Sequence, residues 1–263
     1  MKTLTLFQID AFAANLFQGN PAAVCVLDSW LEEGTMQQIA MENNLAETAF
    51  VVKREKDYQI RWFTPELEVD LCGHATLASA WVIFNEYGHP SDLIDFHSDR
   101  SGSLRVKKEA TGELTLDFPK DTLEEISPVK EIHEALGRVP QKVFKGKTDF
   151  MLIYASEQEV RDMKPNFFLL DQVEARGVIV TAPGKEVDFV SRFFAPKCGI
   201  PEDPVTGSAH TTLTPYWAEA LGKQDLTAKQ LSQRGGDLKC QLRGDRVLIS
   251  GRAVPYLKGE ITL

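Results

Sequence analysis

Two stretches of the chain, 131 positions apart, share an ordered set of residues. Residues 63–75 read FTPELEVDLCGHA, and residues 194–209 read FAPKCGIPEDPVTGSA. Each stretch begins with Phe-x-Pro, reaches an aspartate seven or nine positions later, and continues to a glycine that opens a run of small and apolar residues. An ordered similarity at about half of the 263-residue length indicates a duplicated unit. A chance likeness of two turns would not account for the shared order.

Short strands and a few helices surround these two stretches. The strands are predicted from β-branched and aromatic runs that are bounded by Gly, Pro, Asn or Asp. They are Leu4–Asp10, Ala22–Leu27, Ala49–Lys53, Ile60–Phe63, Leu104–Lys108, Leu114–Phe118, Phe150–Tyr154, Val178–Ala182, Asp188–Phe194, Leu238–Leu242 and Val247–Ser250. The predicted helices are Thr35–Asn43, Ala75–Tyr87, Pro128–Leu136, Glu157–Met163 and Ala209–Leu221.

One long helix in each half has the composition of a buried element. Residues 75–87 read ATLASAWVIFNEY and are small or apolar on nearly every face, which is typical of a helix that is buried all round. Gly88 and Gly222 follow the two helices and are predicted to end them. We therefore expect an α+β fold of two similar domains, 1–118 and 119–263, each a barrel-like sheet wrapped around a central helix. The last strand could cross back to the first domain.

Charge and cysteine content exclude several classes of partner. The chain carries 29 basic and 38 acidic residues, a net charge of −9, which argues against nucleic acid or an anionic membrane as the main partner. The four cysteines form no C-x-x-C pair, so a zinc knuckle is not indicated. The N-terminal segment resembles neither a secretory leader nor a membrane helix, and a cytoplasmic protein with reduced thiols is predicted.

The starts of the two long helices suggest a site for a small anion. The helices begin at a Gly-His step, Gly73-His74, and at a Gly-Ser step, Gly207-Ser208. Glycine lets a ligand approach the backbone, and the free N–H groups of a helix N-terminus bind carboxylate or phosphate. An anion can thus be bound without a basic patch.

Four motifs in order resemble the PhzF-like (phenazine biosynthesis) family. They are Gly19-Asn20-Pro21-Ala22, Asn44-Leu45-Ala46-Glu47-Thr48, Cys72-Gly73-His74-Ala75-Thr76 and the run from Glu202 to Ala209, EDPVTGSA. The resemblance implies the diaminopimelate-epimerase-like fold, with two pseudo-symmetric domains and the active site between them. It also implies a homodimer that uses neither a metal nor an organic cofactor.

The resemblance assigns roles to several of these residues. Glu47 is placed as the general acid/base, since a carboxylate in an enclosed site can take a proton and return it. His74 and Asp203 are placed in the active site, where they bind substrate or assist proton transfer. Taken alone, Glu47 could be a solvated strand end, His74 a structural hydrogen-bonding group, and Asp203 a helix cap.

The remaining site residues are substrate-binding candidates. Ser208 is expected to help hold a carboxylate, and Gly73 and Gly207 to contribute backbone N–H groups. Asn20 is either part of the turn chemistry or a contact at the rim of the site. Cys72 is also a substrate-binding candidate.

Cys72 also raises the question of a two-thiol racemase. Related epimerases place a cysteine before each helix glycine, but here the second position is Thr206, whose hydroxyl is far too weak an acid to replace a thiol. Side chains two apart on a helix do not face each other, so neither Ser208 with His210 nor Cys72 with His74 is expected to pair. A metal site from His74, His210, Asp203 and Glu47 would need several coincidences, and none is predicted.

The sequence thus predicts an isomerase that shifts a proton on a small carboxylate-bearing substrate, with Glu47 as the acid/base. The phenazine precursor of the family's namesake is one candidate substrate. Two alternatives stay open: an epimerase or racemase that uses Cys72, and a non-catalytic small-anion-binding or interaction protein on the same fold.

Overall fold

The structure, a computed structural model, describes residues 3–263. The chain divides into two compact units. Unit 1 runs to Asp117 and takes up Ser250–Leu263 at the end of the chain, and unit 2 is Phe118–Ile249. The chain therefore returns to unit 1 for its last strand.

Strands outnumber helices in both units. The strands are β1 (Thr3–Ala11), β2 (Asn20–Leu27), β3 (Glu47–Lys53), β4 (Tyr58–Phe63), β5 (Glu68–Val69), β6 (Leu93–Ser98), β7 (Gly102–Lys108), β8 (Leu114–Pro119), β9 (Glu124–Ile126), β10 (Lys142–Lys145), β11 (Asp149–Ile153), β12 (Gly177–Pro183), β13 (Phe189–Ala195), β14 (Ile200–Asp203), β15 (Asp225–Gln230), β16 (Gly236–Arg243), β17 (Arg246–Gly251) and β18 (Ala253–Thr262). The helices are α1 (Glu33–Asn43), α2 (Gly73–Asn85), α3 (Lys130–Leu136), α4 (Glu157–Arg161), α5 (Phe167–Leu170) and α6 (Gly207–Leu221).

The two units repeat one pattern of strand pairing. In unit 1, β2 and β3 are parallel, β3 and β4 are antiparallel, and β4 and β6 are parallel. In unit 2, β11 and β12 are parallel, β12 and β13 are antiparallel, and β13 and β15 are parallel. Helices α2 and α6 follow β5 and β14, at matching points of the two patterns. The duplication and the α+β class predicted from the sequence are confirmed.

Helix α2 is the buried centre of unit 1. Eleven of its 13 residues are buried, and it contacts β1, β2, β3, β7 and β18. The prediction that Gly88 ends this helix is wrong, because α2 ends at Asn85. Gly88 instead makes a left-handed turn, with φ of 61°, that brings the His89 N–H within 3.3 Å of the Ile83 carbonyl. That carbonyl is thereby satisfied after the helix has ended.

Helix α6 contains a proline that the fold accommodates. Pro215 has no N–H, so the Thr211 carbonyl loses its partner one turn earlier. The Asp121 N–H donates to that carbonyl instead, at 3.2 Å. The helix ends at Leu221, and Gly222 follows in the left-handed conformation, as predicted. Among residues 3–263, no helix is long and apolar enough to cross a membrane.

Several strands were not predicted from the sequence. Strand β18 is mostly exposed and lacks a clear alternation of apolar residues, and it is defined by pairing with β1 along nearly its whole length. Strand β6, LIDFHS, does alternate between buried and more exposed positions, so its signal was present but short. Strand β15 pairs with β13 and β16, which lie far from each other in sequence.

Candidate active site

Glu47 and Asn20 stand at the starts of two neighbouring strands. Glu47 is the first residue of β3 and Asn20 the first of β2, and Ala22 is opposite Glu47 in the parallel pairing. Parallel strands run in the same direction, so both residues lie at the same edge of the sheet. The Glu47 side chain is 12% exposed, whereas Asn20 is fully buried. Because Asn20 is fully buried, it does not form a contact at an exposed rim.

His74 lies between these two side chains. It is the second residue of α2 and is buried. Asn20 Nδ2 is 3.1 Å from His74 Nδ1, and His74 Nε2 is 3.1 Å from Glu47 Oε2. Both ring nitrogens therefore have a polar neighbour, an amide on one side and a carboxylate on the other.

The contact between His74 and Glu47 is close but not aligned. Glu47 Oε2 is buried and makes no aligned hydrogen bond among the described residues. Catalytic hydrogen bonds are often poorly aligned without substrate and tighten when the reacting complex forms. The arrangement is that of a carboxylate held beside an imidazole, with Oε2 still able to accept a hydrogen bond.

Cys72 contacts His74, contrary to the prediction that the two side chains do not meet. Its Sγ lies 3.4 Å from Nδ1 and 4.0 Å from Nε2. The spacing rule applies within a helix, but Cys72 is the extended residue just before α2, with φ of −138°. The lone-pair axes of the ring nitrogens diverge, so a sulfur this close to both lies off both axes. The thiol packs against the ring without taking the place of Asn20 or Glu47.

Burial keeps the Cys72 thiol protonated. Desolvation, and after it the Glu47 carboxylate, raises the pKa of Cys72 to about 11. For His74, burial lowers the pKa, but Cys72, counted as a thiolate, and Glu47 raise it well above its ordinary value. The contribution of Cys72 requires a thiolate, which is scarce at neutral pH. At that pH the pKa of His74 is therefore determined mainly by burial, which lowers it, and by the Glu47 carboxylate, which raises it.

Glu47, Cys72 and His74 also form a candidate metal-binding group. Their donor atoms lie within 4.8 Å of one another, and thiolate, imidazole and carboxylate all suit Zn²⁺. A cation bound by an imidazole lies along a lone-pair axis in the ring plane, and Sγ lies off both axes. The ring would have to turn away from Asn20 before Cys72 and His74 could share one ion.

A second cluster, in unit 2, surrounds Asp203. Thr206 Oγ1 donates to Asp203 Oδ2 at 2.5 Å, and Gln230 Nε2 donates to the Asp203 carbonyl at 2.8 Å. Gln230 Oε1 accepts from the Thr206 N–H. Asp203 is not the cap of α6, because the capping position is occupied by Thr206. The Thr206 hydroxyl thus orients the Asp203 carboxylate, and Gln230 holds the backbone on either side of it.

Ser208 contacts an arginine that the sequence did not single out. It is the second residue of α6, and its Oγ accepts from Arg176 Nη2 at 3.1 Å. Arg176 also pairs through two nitrogens with Asp149, which is buried. A signal existed: Arg176 directly precedes β12, the repeat counterpart of the strand that Glu47 begins. Gly73 and Gly207 are the first residues of α2 and α6, so their N–H groups lack intrahelical acceptors.

Known proteins resemble the chain over its whole length. A family model described as phenazine biosynthesis-like protein matches residues 9–259. The chain is 50% identical over 260 residues to an uncharacterized isomerase of Pseudomonas aeruginosa, covering 99% of each. A crystal structure of a PhzF-family phenazine biosynthesis protein from Enterococcus faecalis superposes with a TM-score of 0.96 at 47% identity, covering 100% of both chains. A hydroxyproline epimerase from Agrobacterium vitis, at 9% identity and a TM-score of 0.66, covers 98% of this chain and 92% of its own, and shares the fold alone.

Full-length relatives at 46–50% identity are named isomerases, which places the chain in that class of enzymes. The epimerase fold expected from the sequence is confirmed as well. The chain belongs to the phenazine biosynthesis-like, or PhzF, family.

Proposed function

We propose that this protein shifts a proton within a small carboxylate-bearing substrate, with Glu47 as the acid/base. The observation that carries the proposal is the Glu47 carboxylate, 88% of whose side-chain surface is covered, beside a buried imidazole at 3.1 Å. A carboxylate shielded from water can remove a proton from carbon and keep it long enough to return it.

The reaction balances without any change of oxidation state. Glu47 takes the proton from a carbon next to an unsaturated group, and the electron pair of the broken C–H bond moves into the conjugated system. The carboxylic acid of Glu47 then gives the same proton to another carbon on the same face. The substrate is isomerised, and Glu47 returns to its ionised state.

The other groups have supporting roles in this proposal. His74 stabilises the Glu47 carboxylate through Nε2. Ser208 binds the substrate carboxylate, because its Oγ accepts from Arg176 and its own hydrogen can then be donated. The N–H groups of Gly73 and Gly207 add donors, and Asp203 accepts from a substrate amine or hydroxyl.

The test is a screen of small unsaturated and α-amino carboxylates by NMR in D₂O. We expect the wild-type protein to incorporate deuterium into a substrate or to move its double bond. Glu47→Gln should lose this activity, and Glu42→Gln, on the exposed face of α1, should retain it. Binding by the wild-type protein with neither deuterium exchange nor a moved double bond would favour the non-catalytic small-anion binder.

The cellular setting is a separate part of the proposal. We assign the protein to the cytoplasm on the basis of its free cysteines, and we expect it to act as a homodimer on the basis of the family resemblance. Size-exclusion chromatography with light scattering tests the dimer, since a monomer at micromolar concentration would contradict it.

A further inference from the structure

We infer that Asn20 is a positioning residue that fixes the tautomer of His74, with the ring proton on Nε2 facing Glu47. The tautomer itself follows from contacts within unit 1. Only its consequence for the reaction rests on the proposed function.

The contact on the Nδ1 side of the ring indicates this tautomer. Asn20 Nδ2 is 3.1 Å from His74 Nδ1, and both side chains are buried. An amide nitrogen only donates, and an imidazole nitrogen accepts only when it carries no proton. With the Asn20 amide oriented so that Nδ2 faces the ring, its donation leaves the proton of the neutral ring on Nε2.

The Glu47 carboxylate on the opposite side of the ring is compatible with the same tautomer. Glu47 Oε2 lies 3.1 Å from Nε2, and an ionised carboxylate only accepts. With the proton on Nδ1, two acceptors would face each other at that distance with no hydrogen between them. The Glu47 contact, although it is not aligned, thus favours the same neutral tautomer that the Asn20 contact requires.

The backbone around Asn20 holds the amide in place. Gly19 has a φ of 66°, and a Cβ there would collide with the Ala11 carbonyl, so this position favours glycine. Pro21 restricts Asn20 to an extended conformation, which matches its place as the first residue of β2. Ala11 is opposite Asn20 in the pairing of β1 with β2. The turn thereby presents the amide to His74 at a defined position.

The tautomer determines what His74 can do for Glu47. A proton on Nε2 lets the ring donate to Oε2, which stabilises the carboxylate and leaves its other oxygen for the reacting proton. A proton on Nδ1 would remove that donor. In serine proteases, the wrong imidazole tautomer lowers kcat by about 10⁴. The groups that face the His74 ring are Glu47, Cys72 and Asn20.

The chain contains two histidines that serve as internal references. His89 Nε2 is 3.0 Å from the Leu93 carbonyl, so its proton lies on Nε2. His210 Nδ1 is 2.8 Å from the Thr206 carbonyl, so its proton lies on Nδ1. A carbonyl only accepts, which fixes both assignments.

The experiment is two-dimensional ¹⁵N–¹H NMR of the full chain with ¹⁵N-labelled histidine, recorded near pH 7.5. We expect the ring nitrogens of His74 to follow the pattern of His89, with Nδ1 unprotonated. A pattern like that of His210, or two protonated nitrogens, would overturn the inference. This measurement needs only the wild-type protein, so it does not depend on a variant that folds.

Two variants extend the test to the reaction. Asn20→Asp replaces the donor with an acceptor of similar size, and we expect Nδ1 of His74 to become protonated. The factor by which kcat falls should then be at least about 10 times the factor by which the affinity for substrate falls. Asn20→Ala should lose the Nε2 tautomer preference. An unchanged His74 spectrum in a folded Asn20→Asp protein would overturn the role of Asn20. If instead the tautomer is as inferred and Glu47→Gln keeps full activity, the proposed function fails and the assignment of the tautomer stands.

Discussion

His74 Nε2 lies 3.1 Å from Glu47 Oε2, although the two residues are 27 positions apart in the chain. Glu47 begins a strand and His74 stands in the first turn of the helix that the strand helps to bury. The contact places a carboxylate with little exposure to water next to a group that can donate to it. The proposed chemistry depends on this relationship.

The buried thiols should react slowly with alkylating reagents. Burial raises the pKa of Cys72 to about 11 and that of Cys25 and Cys240 to about 12, whereas Cys198 is exposed. Because the thiolate is the nucleophile, we expect iodoacetamide at pH 7.5 to label Cys198 more than about 100-fold faster than Cys72. Mass spectrometry of the digested protein measures this. Rapid labelling of Cys72 that also inactivates the enzyme would support the thiol-based epimerase.

Gly19 should tolerate substitution much less well than Gly88. Both have positive φ, but a Cβ at Gly19 would collide with the Ala11 carbonyl, whereas Gly88 has open space around it. We expect Gly88→Ala to lower the free energy of unfolding by about 1–2 kcal/mol. Gly19→Ala should cost at least about 2 kcal/mol more. Urea denaturation measures both, and equal losses would contradict the account of the turn that holds Asn20.

Ser208 should affect substrate binding more than turnover. Loss of one hydrogen bond to a charged group costs about 1.5–3 kcal/mol, so Ser208→Ala should raise KM at least about 10-fold with a smaller change in kcat. Thr211→Ala is the matched control, since Thr211 Oγ1 donates to the Ser208 carbonyl and not to its hydroxyl. Steady-state kinetics would contradict the assignment if kcat fell and KM stayed constant.

Acid should destabilise the protein through His210. Burial lowers the pKa of this residue to about 4, well below its ordinary value of 6.5. The unfolded chain therefore binds a proton first as the pH falls, and stability declines between about pH 6.5 and pH 4 by up to about 1.4 kcal/mol per unit. In His210→Gln this part of the slope should be absent, while above pH 7.5 the two proteins should run parallel. Urea denaturation at several pH values measures the slopes, and identical slopes at acid pH would contradict the prediction.

The sequence predicted the fold better than it predicted the site contacts. Repeated motifs and an all-apolar helix are local patterns, and they indicated two units with buried helices. The pairing of β18 with β1 is long-range and has no such pattern. Within the site, the i,i+2 rule failed at Cys72 because it lies before the helix. The link from Arg176 to Ser208 spans 32 residues and is created only by the fold.

The contact made by Asn20 also could not be predicted from the local sequence. The Gly-Asn-Pro sequence indicated a turn, and the structure has Asn20 at the first position of a strand. Nothing in the local sequence says that its amide meets an imidazole 54 positions later. Both residues were candidates, but their contact depends on parallel strands and a helix that starts beside them.

The most direct test of the central claim compares Glu47→Gln with Cys72→Ala. The measured quantity is the rate at which the double bond of the substrate moves, followed by NMR in D₂O, with circular dichroism to confirm that both variants fold. We expect Glu47→Gln to lower the rate about 10²- to 10⁴-fold and Cys72→Ala to lower it far less. The opposite result, an inactive Cys72→Ala and an active Glu47→Gln, would contradict the account and assign the chemistry to the thiol.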